Sequence, residues 1–167
     1  MSLQYLLDGY NIIHQMPEAD KGSLESLRDR LAQLVSGQRP QGSLRNKVTI
    51  VFDGQPGFLS PNSFNDVKII FSSDESADDK IKKLVEYSDN PKAIVVVTDD
   101  NGIRNVVRSL GAGVMSVKDF LNKGSRNAAV ANKKTGVIQG SQDKKLSSSR
   151  ERQINEEFEK RWIKNSK

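Results

Sequence analysis

Five short apolar runs, separated by turns and helical stretches, constrain this chain more than any other feature. They are QYLLD at 4–8, KVTIVFD at 47–53, VKIIF at 67–71, AIVVVT at 93–98 and GVMSV at 113–117. The first is an unbroken apolar run, the second and fourth are rich in β-branched residues, and such runs suit strands buried on both faces. Helical spacing falls between them. Leu24, Leu27, Leu31, Leu34 and Val35 form one face of a helix within Gly22–Gly37, which Gly37 and Pro40 end. Ile81, Leu84 and Val85 mark a helix over Ser76–Tyr87, with Ser76 as its N-cap and Asp79 three residues later. A third helix is expected over Asn101–Leu110, stopped by Gly111, and a short helical turn at Lys118–Leu121. Parallel strands need crossover helices, so the alternation predicts an α/β domain over residues 1–122. Its architecture is three-layer α/β/α with a mainly parallel central sheet.

The chain has 167 residues, enough for one domain with a core of its own. It has no cysteine, which excludes disulfides, thiolate nucleophiles and Cys-ligated zinc, and its single histidine, His14, excludes a His-rich metal site. No apolar run approaches the roughly 18 residues of a membrane span. The N-terminal MSLQYLLDGYN has no basic leader, so a cytoplasmic protein without membrane attachment is expected.

Net charge is unevenly placed. Residues 1–122 carry 14 Lys/Arg against 16 Asp/Glu, whereas residues 123–167 carry 12 against 5. The formal charge of +5 therefore comes from a basic tail, and such asymmetry points to a polyanionic partner as readily as to a solubilising role. Residues 123–146 are poor in apolar side chains and are expected to be loosely packed. A helix is expected from about 148, where Ser148-Ser149-Arg150-Glu151 fits a capping box and Ile154, Phe158 and Trp162 recur every fourth residue.

Acidic residues stand where the strands end. Asp8 follows the first strand, Asp53 the second, Asp78 and Asp79 open the helix after the third, and Asp99 and Asp100 follow the fourth. In a parallel sheet all of them reach one edge, where ligands bind in open α/β sheets. Taken singly, each is a plausible helix cap or turn residue. Together they are carboxylates that repel one another unless a cation sits between them. Oxygen ligands without Cys or a His cluster favour Mg²⁺ or Mn²⁺, which can orient and acidify water and neutralise charge on a phosphodiester.

These residues resemble a family. Asp8-Gly-Tyr-Asn11 after an apolar strand, VFDG at 51–54, Ala77-Asp78-Asp79 before a helix and Thr98-Asp99-Asp100 after a strand resemble NYN domains of the PIN-like nuclease superfamily, in particular its small bacterial YacP-like members. The resemblance covers residues 3–121, and the tail only in character. It implies a PIN-like fold and a metal-dependent endoribonuclease. Carried over, Asp8, Asp78 and Asp100 would be the metal-holding carboxylates, Asn11 the asparagine that accompanies the first of them, and Asp79 and Asp99 neighbours able to share the metal. Asp53 would support them from outside. Either Asp99 or Asp100 could be the inward residue of its pair. Some members carry another acid about four residues later, where this chain has Arg104 and Asn105, and that departure keeps open a catalytically weak or inactive RNA-binding module of the same fold.

RNA-binding residues would be Tyr10, which could stack on a base, Arg104 and Arg108 on one helix face, and Lys144, Lys145, Arg150 and Arg152 in the tail. Messenger RNA, structured RNA and RNA on a ribosome are equally compatible substrates. A phosphoryl-transfer domain fits less well. Asp53, Thr98 and Lys118 mimic a response-regulator receiver, but strand one ends in Asp8-Gly9 instead of paired acids and Lys118 has no following proline. A haloacid-dehalogenase-type phosphatase would need an aspartate at Tyr10, and the P-loop-like glycine spacing of Gly37 and Gly42 has no lysine before Ser43.

Overall fold

The computed structural model describes residues 2–17, 22–55 and 67–135, with side chains through residue 130. Its centre is a parallel five-stranded sheet: β1 (Gln4–Asp8), β2 (Lys47–Asp53), β3 (Val67–Ser72), β4 (Ile94–Val97) and β5 (Gly113–Met115), in the order β3-β2-β1-β4-β5. The helices are α1 (Gly9–Ile13), α2 (Leu24–Gln38), α3 (Ala77–Glu86), α4 (Asn101–Ser109) and α5 (Val117–Thr135). A 3₁₀ turn at Pro91–Ala93 leads into β4.

Two apolar clusters cover the two faces of the sheet, which makes the three layers expected from the alternation of elements. Leu7, Ile50, Phe52 and Val97 pack against Ile12, Leu31, Val35, Val117 and Phe120, from α1, α2 and α5. On the other face, Leu6, Val51, Ile94 and Val96 pack against Ile81 and Val85 of α3 and Ile103 and Val107 of α4. Most of these side chains are wholly buried, each stabilising the fold by about 1.5–3 kcal/mol relative to exposure. The strands read as unbroken apolar runs because both of their faces are covered.

The period-two rule then assigns the residues just past the strands. Asp8 shares a face with Leu6, and Thr98 with Ile94 and Val96, so both fall on the α3–α4 side. Asp99 follows Val97 to the α1–α5 side. Strand β1 lies between β2 and β4, with Leu7 opposite Val97, so the ends of β1 and β4 are neighbours at the point where the strand order reverses.

Two elements differ from the sequence expectation. Helix α1 follows β1 directly and carries no helical periodicity long enough to see in advance. The turn expected at 118–121 is instead the start of α5, which continues to Thr135, so residues 123–135 are helical where loose packing was expected. The Ser116 Oγ accepts from the Asp119 N–H at 3.1 Å and donates to its carboxylate at 2.7 Å, starting this helix. Val117, Phe120 and Gly124 form its buried stripe, and Asn127 donates to the Arg39 carbonyl at 2.8 Å. The compact unit containing the sheet accordingly runs to Lys133. The helix expected from about 148 lies outside the described residues. Among the described residues no helix is long and apolar enough to cross a membrane.

Candidate active site

The site begins with Asp8, which is only 8% exposed. Its carboxylate accepts the Asn11 N–H at 3.3 Å, which caps α1, and the Thr98 hydroxyl at 3.0 Å. Gly9 makes this abrupt strand-to-helix change possible. A Cβ there would lie 2.3 Å from the Phe52 ring and 2.9 Å from the Val51 carbonyl oxygen, so only glycine lets α1 begin this close to β2.

Thr98, which follows β4, is wholly buried. While its hydroxyl donates to Asp8, the same oxygen accepts from the Asp100 N–H at 3.1 Å. Asp100 in turn caps α4, accepting from the Ile103 N–H at 2.9 Å. Gly111, at φ 91°, ends that helix in the left-handed region, as its place in the sequence predicts. Asp78 is half-buried in the first turn of α3, whose N-cap is Ser76.

Asp8 and Asp78 feel the negative charge of Asp100, and Asp8 that of Asp78. Burial raises the pKa of Asp8 from its ordinary value, the Thr98 and Asn11 hydrogen bonds oppose that rise, and the charges of Asp78 and Asp100 add to it. Burial also raises Asp78, followed by the charge of Asp100, with Lys82 opposing and Asp79 and Asp53 adding to the rise. Asp53 is exposed at the end of β2 and accepts from Ser72 Oγ at 3.3 Å and from the Gly54 N–H at 3.1 Å.

The other acids are placed differently. Asp99 lies on the opposite face of the sheet, accepting from the Val117 N–H at 3.3 Å and from Gln15 Nε2 at 2.8 Å. Of the Asp99–Asp100 pair, Asp100 is therefore the one coupled to Asp8 and Asp78. Asp79 is exposed and ion-paired to Lys82 at 3.6 Å. Asn11 Oδ1 accepts the Asp99 N–H at 3.4 Å, stitching α1 to the turn after β4.

Among the described residues no three acidic or imidazole groups converge closely enough to enclose one ion. The donor set nevertheless fits a hydrated hard cation. Mg²⁺ commonly takes one or two carboxylates and keeps water on its remaining positions. The mutual repulsion of Asp8, Asp78 and Asp100 is the feature that a cation would relieve.

Of the basic and aromatic candidates, Tyr10 is half-buried, its ring 5.3 Å from Phe52 and its hydroxyl accepting from Arg28. Arg104 is half-buried on α4, and Arg108 is exposed one turn further on. Lys144, Lys145, Arg150 and Arg152 lie outside the described residues. On α3, Lys80 and Lys83 pair with Glu75 at 3.1 and 2.6 Å.

Sequence reasoning passed over Thr98, Gln15 and Arg28 as site residues. Thr98 had a visible signal, since a hydroxyl at the end of a buried strand requires a partner. Gln15 and Arg28 had none. Arg28 is buried on α2, its guanidinium 5.1–5.6 Å from the ring centres of Tyr10, Phe52 and Phe71.

A family model for the YacP-like NYN domain matches residues 5–164. Two solved structures of Rae1 (YacP) from Bacillus subtilis share the fold. One, of a single-substitution variant, is 26% identical over 90% of this chain and 89% of that one, with a TM-score of 0.68. The other is 24% identical over 99% of this chain and 96% of that one, with a TM-score of 0.69. No curated protein matches.

Proposed function

The chain belongs to the YacP-like NYN domain family, and from that premise we propose that it is a Mg²⁺- or Mn²⁺-dependent endoribonuclease. The family makes it a PIN-like, nuclease-related domain. The observation that carries the finer reading is the electrostatic coupling of Asp8, Asp78 and Asp100, from three separate elements, at the sheet edge where the strand order reverses.

In this reading Asp8, Asp78 and Asp100 would share a hydrated cation, partly through its water, with Asp53 adding negative charge felt by Asp78 and with Asp79 and Asp99 outside the set. When bound, the ion would lower the pKa of a water and offset charge developing on the phosphodiester. The protein's own residues supply rigidity. Thr98 holds the Asp8 carboxylate in one orientation, and its oxygen fixes the backbone entering α4. Asn11 anchors α1 to the turn after β4 through the Asp99 N–H, so the residues following β1 and β4 move together. Arg104 and Arg108 on α4 supply positive charge beside the carboxylates for the RNA backbone, and the basic tail adds affinity independent of sequence.

The departure at Arg104 and Asn105 favours the second reading, an RNA-binding module that does not cut. Incubating mixed RNA with the protein in Mn²⁺, Mg²⁺ or EDTA, beside Asp8→Asn, separates the two. Cutting that requires metal and is lost in the variant supports the enzyme. Salt-sensitive binding without cutting in any metal supports the module, or a substrate presented only on a larger particle such as the ribosome.

A further inference from the structure

A groove of about 420 Å³ lies between α4, the end of β5 and α5, lined by Arg104, Ser116, Asp119, Lys123 and Arg126 among others. Arg104 sits one turn along α4 from its cap Asp100, and the Arg104 N–H closes that turn on the Asp100 carbonyl at 3.0 Å. At the other wall, Val117 follows Ser116 and donates to Asp99. Arg104 in the first turn of α4 and Ser116 just past β5 therefore place one end of the groove at the strand-end edge of the sheet, and Lys123 and Arg126 extend it along α5.

Three cations and one acid line it, which leaves it net positive; the acid, Asp119, accepts the Ser116 hydroxyl at 2.7 Å. Lys123 and Arg126 are exposed, three residues apart on one face of α5. Arg104 is half-buried, and its Nε is shut away from solvent without an acceptor among the described residues. Three cations against one carboxylate favour a polyanion, such as successive backbone phosphates, over a neutral ligand.

We propose that this groove binds the sugar–phosphate backbone of single-stranded RNA, with Arg104, Lys123 and Arg126 anchoring phosphates next to the one that reaches the carboxylates. The proposal rests on the endoribonuclease reading for its substrate but not for its test, which needs no cleavage.

The test is binding of a fluorescent single-stranded oligoribonucleotide of mixed sequence to the full chain in EDTA, across a salt series. The groove variant is Arg104→Gln with Lys123→Gln and Arg126→Gln. The control removes equal charge at the opposite end of the strands, through Lys47→Gln, Lys68→Gln and Lys92→Gln. Losing three phosphate contacts should lower the slope of log affinity against log salt by about 2, and affinity at 0.1 M salt on the order of 100-fold. The control should shift neither by more than a small part of that. Lys123→Gln with Arg126→Gln, both exposed, leaves the packing of α4 untouched and should give about two-thirds of the slope change. Equal losses in groove variant and control, an unchanged slope, or no binding by the parent protein would overturn the proposal. Groove-dependent binding without metal-dependent cutting would leave the groove standing and favour the RNA-binding module over a nuclease acting on naked RNA. Cutting with a silent groove would do the reverse.

Discussion

The Thr98 hydroxyl donates to Asp8 at 3.0 Å, tying together the ends of β1 and β4 across 90 residues of sequence. Its oxygen also accepts the Asp100 N–H at 3.1 Å, so one buried side chain orients the first carboxylate and fixes the backbone that presents the last. The consequence is that the site's geometry depends on a residue with no acidic or basic chemistry of its own.

Thr98→Val keeps the shape of the side chain and removes both hydrogen bonds. It leaves a buried carboxylate oxygen and a backbone N–H without a partner, at a cost of about 2–3 kcal/mol. Urea unfolding should show the loss as a lower midpoint with an unchanged m-value. RNA cutting should fall as well, since the Asp8 orientation is no longer fixed. A variant as stable and active as the parent protein would mean that Thr98 is a packing residue only.

Asp8→Asn should stabilise the protein at neutral pH, and the sign follows from linkage. Burial and the neighbouring Asp78 and Asp100 charges raise the folded pKa of Asp8 above its ordinary 3.8. The folded state therefore holds this proton more tightly than the unfolded state, so stability falls as pH rises from about that value through the folded pKa. The asparagine variant lacks this loss. Its advantage in thermal melting should be present at pH 7 and shrink toward pH 4, and a constant difference would show that charge is not its origin.

Divalent cations should raise the melting temperature. A cation held by Asp8, Asp78 and Asp100 at 100 times its Kd would stabilise by about 2.7 kcal/mol, roughly 5–10 °C for a domain of this size. Asp8→Asn and Asp100→Asn should each abolish most of the shift with Mg²⁺ and Mn²⁺. An equal shift in parent and variants would place the metal elsewhere.

Gly9→Ala should be disproportionately costly for a single methyl group. The added carbon would meet the Phe52 ring and the Val51 carbonyl, and overpacking of this kind costs about 1–3 kcal/mol. Because α1 begins at Gly9, the Asn11 contacts to Asp8 and Asp99 should loosen with it. Thermal melting gives the first effect and RNA cutting the second. A neutral Ala variant would show that β2 yields to α1 at little cost.

Most of the framework was legible along the chain. The five apolar runs became five parallel strands within a residue or two, because strands covered on both faces need unbroken apolar sequence. Ser76, Asp100 and Gly111 marked helix ends by local chemistry that operates within four residues. Helix α1 escaped notice because five residues contain too little periodicity. The length of α5 escaped because its stability comes from packing Val117, Phe120 and Gly124 on the core, a gain invisible to composition.

The sequence by itself determined which residues sit at strand ends, because the order of elements and the parallel connection put every strand terminus on one edge. It could not decide between Asp99 and Asp100. That depended on which face Val97 presents, and the period of two sends adjacent residues to opposite sides of the sheet. Nor could it find the Arg104, Lys123 and Arg126 groove, whose cations come from two helices separated by a strand. Strand ends are a property of the chain, while the meeting of side chains from different elements is a property of their packing, and only the tertiary structure fixes it.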